Sequence, residues 1–183
     1  MQREGDCYTM KKIFCVLMAA LIVVVLFVLF SREKVENVVM PVTVQKYGFN
    51  ENLEYDRLMG TYSGEIKNGK PDGKGKIIVK TEHGTEVTFT GGFRDGMFIV
   101  GEMVEYYEYG QLLGKCKFKD GKVNGNFTLY YSTGQLQAES IFKDGKPNGK
   151  FKIYYPDGKL QSESEYKNGK LIDPNFKGSV KLN

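Results

Sequence analysis

Phe118-Lys-Asp-Gly121-Lys-Val-Asn-Gly125 recurs 24 residues later as Phe142-Lys-Asp-Gly145-Lys-Pro-Asn-Gly149, and 24 residues after that as Tyr166-Lys-Asn-Gly169-Lys170. A second marker keeps the same period: Tyr106-Tyr107-Glu-Tyr-Gly110, Tyr130-Tyr131-Ser-Thr-Gly134 and Tyr154-Tyr155-Pro-Asp-Gly158. Self-similarity at a fixed period is the signature of a repeat architecture. Asp-Gly and Asn-Gly supply the positive φ that tight hairpin turns need. Between these turns apolar and polar residues alternate: Phe127, Leu129, Tyr131, then Leu136, Ala138, Ser140, Phe142; in the next copy Phe151, Ile153, Tyr155, then Leu160, Ser162, Ser164, Tyr166. A period of two means strands with one buried face. Each copy therefore reads as a hairpin, and successive hairpins as one antiparallel meander sharing an apolar face.

Looser copies extend the pattern towards the N-terminus, at Ile66-Lys-Asn-Gly69-Lys-Pro-Asp-Gly73 and at Phe93-Arg-Asp-Gly96. Composition agrees with many short strands and tight turns: 22 Gly, 12 Tyr and 12 Phe, with no Trp, in 183 residues. The predicted fold is all-β: an elongated, single-layer antiparallel meander of tandem hairpins of about 24 residues, preceded by one N-terminal transmembrane helix.

That helix is read from Ile13–Phe30, 18 consecutive residues without a charge, long enough at ~1.5 Å per residue to cross a bilayer's hydrocarbon core. Its end, Leu-Phe-Val-Leu-Phe-Ser31-Arg-Glu-Lys-Val35, offers no small-residue cleavage site, so an uncleaved anchor is expected rather than a signal peptide. Lys11 and Lys12 beside a very short N-terminus favour that end inside and the repeats outside, in a bacterial cell envelope. Met10-Lys11-Lys12 resembles a natural start, which leaves it open whether residues 1–9 belong to the natural chain. The expected organisation is a tail over 1–12, the anchor over 13–30, a linker over 31–59 and the repeat domain over 60–183. Within the linker, Val38–Val44 reads as a short strand that Pro41 confines to an edge or keeps out of the sheet. Ser179–Leu182 reads as a last strand capping the open edge.

The chain carries a net charge of +4, and 23 basic against 20 acidic residues after Phe30. That balance is too mild for a nucleic-acid partner. Cys7 and Cys15 lie before and within the apolar run, which leaves Cys116 alone among the repeats and no disulfide framework. Cys116 stands where Ser140 and Ser164 stand in later copies, so it reads as filling a small inward slot rather than as a nucleophile. Gly114, Ala138 and Ser162 form a second column of small residues, expected where the sheet curves tightly. His83, the one histidine, falls in a predicted turn, and no Ser or Cys motif accompanies it. No catalytic, metal or cofactor site is expected, and no enzymatic activity.

Two stretches resemble the MORN repeat family: Tyr62-Ser-Gly64-Glu-Ile66-Lys-Asn-Gly69-Lys-Pro-Asp-Gly73-Lys-Gly75, and Phe89-Thr-Gly91-Gly92-Phe93-Arg-Asp-Gly96. The second departs from the pattern where Met97-Phe98-Ile99-Val100 precedes Gly101. Residues 101–170 resemble the bacterial variant found in proteins labelled YwqK-type antitoxins. The resemblance implies a protein-interaction or membrane-associated scaffold, in some relatives one that neutralises a toxin partner. It transfers no functional residue, because the matching positions are turn glycines and core aromatics.

A binding surface is read from the residues themselves. If Phe127 and Tyr131 face inward, Tyr130 faces outward, and by the same count so do Tyr106 and Tyr154. These form a tyrosine stripe with one member per copy, a good anchor for a partner because tyrosine buries much area at small entropic cost; the alternative is that both aromatics of each pair simply pack against the sheet or a terminal segment. The partner is expected to be another protein, with lipid head groups or a cell-envelope surface as alternatives.

Overall fold

Eleven strands follow one another in a single sheet: β1 Glu33–Gln45, β2 Tyr55–Lys67, β3 Lys70–Lys80, β4 Glu86–Arg94, β5 Met97–Tyr106, β6 Leu112–Lys119, β7 Lys122–Tyr130, β8 Leu136–Lys143, β9 Lys146–Tyr154, β10 Leu160–Lys167 and β11 Lys170–Leu171. Their spatial order is their chain order. The structure is a computed structural model that describes residues 31–45, 55–81 and 84–172. The apolar run 13–30, His83 and the segment 179–182 lie outside those residues, as do the expectations placed on them. No helix long and apolar enough to cross a membrane occurs among the described residues.

The meander follows from two alternating kinds of turn. At one end of the hairpins the pairs Asn68-Gly69, Asp95-Gly96, Asp120-Gly121, Asp144-Gly145 and Asn168-Gly169 all take positive φ at both positions, 53° and 74° at Asp120-Gly121. Two successive left-handed residues define the type I′ turn, whose twist matches that of the strands. At the other end a loop closed by its first residue recurs. The N–H of Tyr107, Tyr131 and Tyr155 donates to the carbonyls of Gln111, Gln135 and Lys159, and Thr81 does so to Thr85.

The type I′ turns are also bonded to one another's hairpins. In the last four of these turns the glycine N–H donates to a carbonyl at the start of the strand two places back: Gly96 to Pro71 (2.9 Å), Gly121 to Ile99 (2.7 Å), Gly145 to Val123 (2.8 Å) and Gly169 to Pro147 (2.9 Å). Each repeat is thereby clipped to the one before it outside the sheet's own ladder.

One face of the sheet forms the core of the unit Lys34–Asn183. Phe89, Phe98, Cys116, Phe127, Ala138, Phe142 and Phe151 are all buried on it. Cys116 and its counterparts Ser140 and Ser164 are buried together, at 5 % exposure or less, so the small inward column is real. Of the second column, Gly114 and Ala138 are buried and Ser162 is half-buried.

The stretch expected as a linker, 31–59, contributes β1 and the start of β2 instead. Met40, Val42 and Val44 alternate into the core, which gives β1 its place in the sheet. Pro41 is tolerated because β1 stands at the end of the strand order, where a missing N–H costs little. From there β1 reaches the β4–β5 turn, where the Thr43 N–H donates to the Gly96 carbonyl at 2.9 Å and Thr43 pairs in parallel with Met97.

Met97-Phe98-Ile99-Val100, which departs from the repeat pattern, belongs wholly to β5. The extra length is absorbed by an irregularity between Gly92 and Phe93, where Phe93 pairs with Phe98 and Gly92 with Val100. Phe98 is fully buried, and its ring meets those of Phe93 (5.1 Å), Phe118 (5.1 Å) and Phe89 (5.3 Å).

Candidate functional site

Opposite the core lies a face built by the intervening residues of each strand. One row crosses eight strands in continuous register: Ile78, Thr88, Val104, Lys115, Thr128, Glu139, Lys152, Glu163. Beside it, Tyr106 pairs with Leu112, Tyr130 with Leu136, and Tyr154 with Leu160. Each tyrosine is the last residue of its strand, and one strand lies between successive tyrosines, two strand spacings or about 9.6 Å. All three are half-buried, whereas Leu160 is 51 % exposed.

The two tyrosines of each pair have different work. The second one is a tie between repeats: the Tyr107 hydroxyl donates to the Tyr130 carbonyl at 2.8 Å, and Tyr131 to the Tyr154 carbonyl at 2.7 Å. Burial raises the Tyr107 phenol above its usual pKa, with Glu105 adding to the effect. The first one stays on the row. At Tyr154 the hydroxyl donates to Glu139 Oε1 at 2.7 Å, and this bond is the main reason its pKa is raised.

Charges on the β8–β10 part of this face neutralise one another. Lys152 pairs with Glu139 at 3.3 Å and Lys150 with Glu163 at 2.6 Å. Between them Ile141 is 52 % exposed beside a recess of about 380 Å3 that Thr128 also lines. The Thr128 hydroxyl oxygen has no hydrogen-bond partner among the described residues.

The β3–β5 part is different. A larger cavity, about 800 Å3, opens over Lys76, Lys80, Thr88, Thr90, Val104 and Tyr106. The Thr88 and Thr90 pattern between buried Val87 and Phe89 was visible as strand alternation, but nothing in the sequence marked these residues as the floor of a cavity. The chemistry on offer across the face is recognition, through ring surfaces, hydroxyls and paired charges. No group of three or more His, Cys, Asp or Glu side chains suited to a metal occurs among the described residues. Cys116 is buried at 2 % exposure, and burial, with Glu102 and Glu105 nearby, pushes its thiol up to about 12, away from nucleophilic use.

Comparison with known proteins places this geometry. The profile for the MORN repeat matches residues 62–78, and that for the MORN repeat variant matches 99–120, 123–144 and 147–168. The comparison with curated proteins finds no match.

Proposed function

We infer, for a chain that carries MORN repeats between residues 62 and 168, a non-catalytic binding scaffold that the apolar run Ile13–Phe30 holds at a membrane, with the repeats outside. The observation that carries the scaffold reading is the row of Tyr–Leu pairs, Tyr106 with Leu112, Tyr130 with Leu136 and Tyr154 with Leu160. It presents one aromatic anchor per repeat on a face the fold does not need for its core. Tyrosine in such a row can bury its ring against a partner while its hydroxyl keeps a polar bond.

The partner is a protein docked along this row. The test is photocrosslinking in cells from a benzophenone residue placed at Tyr130, with Tyr106→Ala and Tyr154→Ala as the competing background. A discrete crosslinked protein that disappears in the double variant is the expected result. Crosslinks unchanged by both substitutions would remove the row from the interface. An antitoxin role, implied by the resemblance of residues 101–170, is a narrower form of the same reading. It requires a neighbouring small protein to be toxic only in cells lacking this chain. The anchor and its orientation are tested by C-terminal fusions to alkaline phosphatase and to a cytosolic fluorescent protein. An active phosphatase supports the repeats outside, and fluorescence alone reverses the orientation.

A further inference from the structure

The two parts of the outer face differ in how their polar groups are used. On β8–β10, Lys150, Lys152, Glu139, Glu163 and Tyr154 bind one another. On β3–β5, the side chains of Lys76, Lys80, Glu86, Thr88 and Thr90 make no hydrogen bond or ion pair among the described residues, although register places Lys80 opposite Glu86 and Lys76 opposite Thr90. These unpaired groups line the cavity of about 800 Å3, and Tyr106 with Val104 forms its apolar wall. That volume is in the range of ligand sites, roughly 300–1,000 Å3.

The lining narrows the ligand. Among the described lining residues two lysines are balanced by Glu86 and by Glu108 from the loop after β5, which leaves no net charge there to attract a phosphate or a strongly acidic chain. Its apolar wall is too small for the stripe of an amphipathic helix, which needs several anchors in a row. Two hydroxyls, two ammonium groups and two carboxylates supply donors and acceptors along the cavity from one tyrosine ring, with Glu86 opposite Tyr106 and Thr88 and Thr90 two and four residues further along β4. That arrangement suits a molecule with an apolar ring face and a rim of hydroxyls.

We propose that this cavity binds a short stretch of a neutral or N-acetylated polysaccharide, one pyranose stacked on Tyr106 beside Thr88 and Lys80 and the hydroxyls of the next unit held by Thr90 and Lys76. The site goes beyond the scaffold reading but shares Tyr106 with it: a bound glycan takes Tyr106 and leaves Tyr130 and Tyr154 to a protein partner, and Thr90→Val, outside the row, tests the glycan alone.

The experiment is calorimetric titration of the full-length protein, in a detergent without sugar head groups, with the tetramer of N-acetylglucosamine and with cellotetraose. Binding of at least one tetramer is expected. Tyr106→Ala and Thr90→Val should each weaken it about tenfold, while Tyr106→Phe keeps most of it and Thr128→Val, in the other recess, leaves it unchanged. Valine keeps the threonine shape on a strand, so a loss at Thr90→Val reports the hydroxyl. No heat from either tetramer with a folded protein overturns the site. So does binding that Tyr106→Ala and Thr90→Val leave intact, or saturable binding of inorganic phosphate or a peptide library in its place.

Discussion

The two halves of the sheet solve one packing problem with different residues. In β2–β5 a line of glycines runs straight across the strands: Gly64 opposite Gly75, Gly75 opposite Gly91, Gly91 opposite Gly101. A Cβ on Gly75 would strike the Tyr62 ring, and one on Gly91 would strike the Val100 carbonyl. The space over the line is filled from outside it, by Tyr62, whose hydroxyl donates to the Glu65 carbonyl at 2.8 Å, and by Phe98. The neighbouring inward row, which runs through Tyr62, Ile77, Phe89 and Met103 in β2–β5, alternates small and large in β6–β10: Cys116 opposite Phe127, Phe127 opposite Ser140, Ser140 opposite Phe151, Phe151 opposite Ser164. There each strand fills its neighbour's vacancy directly. The first half concentrates its packing in a few rings over a backbone contact, and the second distributes it residue by residue. One pairing is common to both, a glycine opposite an aromatic ring: Gly73 with Phe93, Gly101 with Phe118, Gly125 with Phe142, Gly149 with Tyr166. It holds the period constant while the core around it changes.

The comparison is broken most severely by removing a ring from the alternating row. Phe127→Ala should cost about 4 kcal/mol in denaturant unfolding, since the site is closed by Cys116 and Ser140 and cannot refill. Next, Gly91→Ala should cost about 3 kcal/mol, because the obstacle is backbone and cannot swing aside. Ser140→Ala, in the alternating half, should stay within about 1 kcal/mol by the same measurement. Equal costs for Gly91→Ala and Ser140→Ala would mean that the glycine line is not a backbone contact.

A pH titration sharpens the contrast. Burial first, then Glu65 and Asp72, push the Tyr62 phenol from 10.0 up to about 12, and Cys116 rises from 9.0 to about 12. Both groups are neutral acids that the folded state keeps protonated, so the stability each contributes is full below the unfolded pKa and is lost as pH rises to the folded one. The unfolding midpoint should fall between pH 9 and 12. Cys116→Ser should remove the part of the fall that begins near 9, and Tyr62→Phe the part that begins near 10. A midpoint flat to pH 12 would mean that neither group is held in the core. The smallest effect belongs to the tyrosine tie. Tyr107→Phe should cost about 1 kcal/mol through loss of its bond to the Tyr130 carbonyl. Its hydrogen-exchange signature, faster exchange confined to β5–β7, separates it from a global loss.

Much of this was written in the order of residues. The Asp-Gly and Asn-Gly pairs gave the type I′ turns because only left-handed backbone closes a two-residue hairpin with the right twist. The alternation around Phe127 and Phe142 gave the buried face, since side chains in a strand must alternate. Period two says which face a residue is on, but not what reaches across to it. The bond from Thr43 to Gly96, the clips between turns and the hydroxyl ties of Tyr107 and Tyr131 join residues at least 22 apart, beyond any local pattern. Met97–Val100 looked like an interruption because an irregularity in the pairing can absorb a residue without leaving a mark in composition. The cavity over Thr88 and Thr90 depends on which charges lie opposite one another, which register alone decides.

The clips from each turn glycine to the hairpin before it have an evolutionary consequence. A duplication of one 24-residue segment between Gly121 and Gly145 arrives with both its donor N–H and its acceptor carbonyl, so the new copy is stitched in on arrival. A change that removes a turn glycine or its acceptor strand leaves a clip unmatched, whereas the Gly96–Pro71 clip keeps its bond across 25 residues where the later ones span 22. The gene can therefore lengthen or shorten this sheet in whole steps, each adding or removing one tyrosine from the row, and the reach of the binding face becomes a quantity that selection can count.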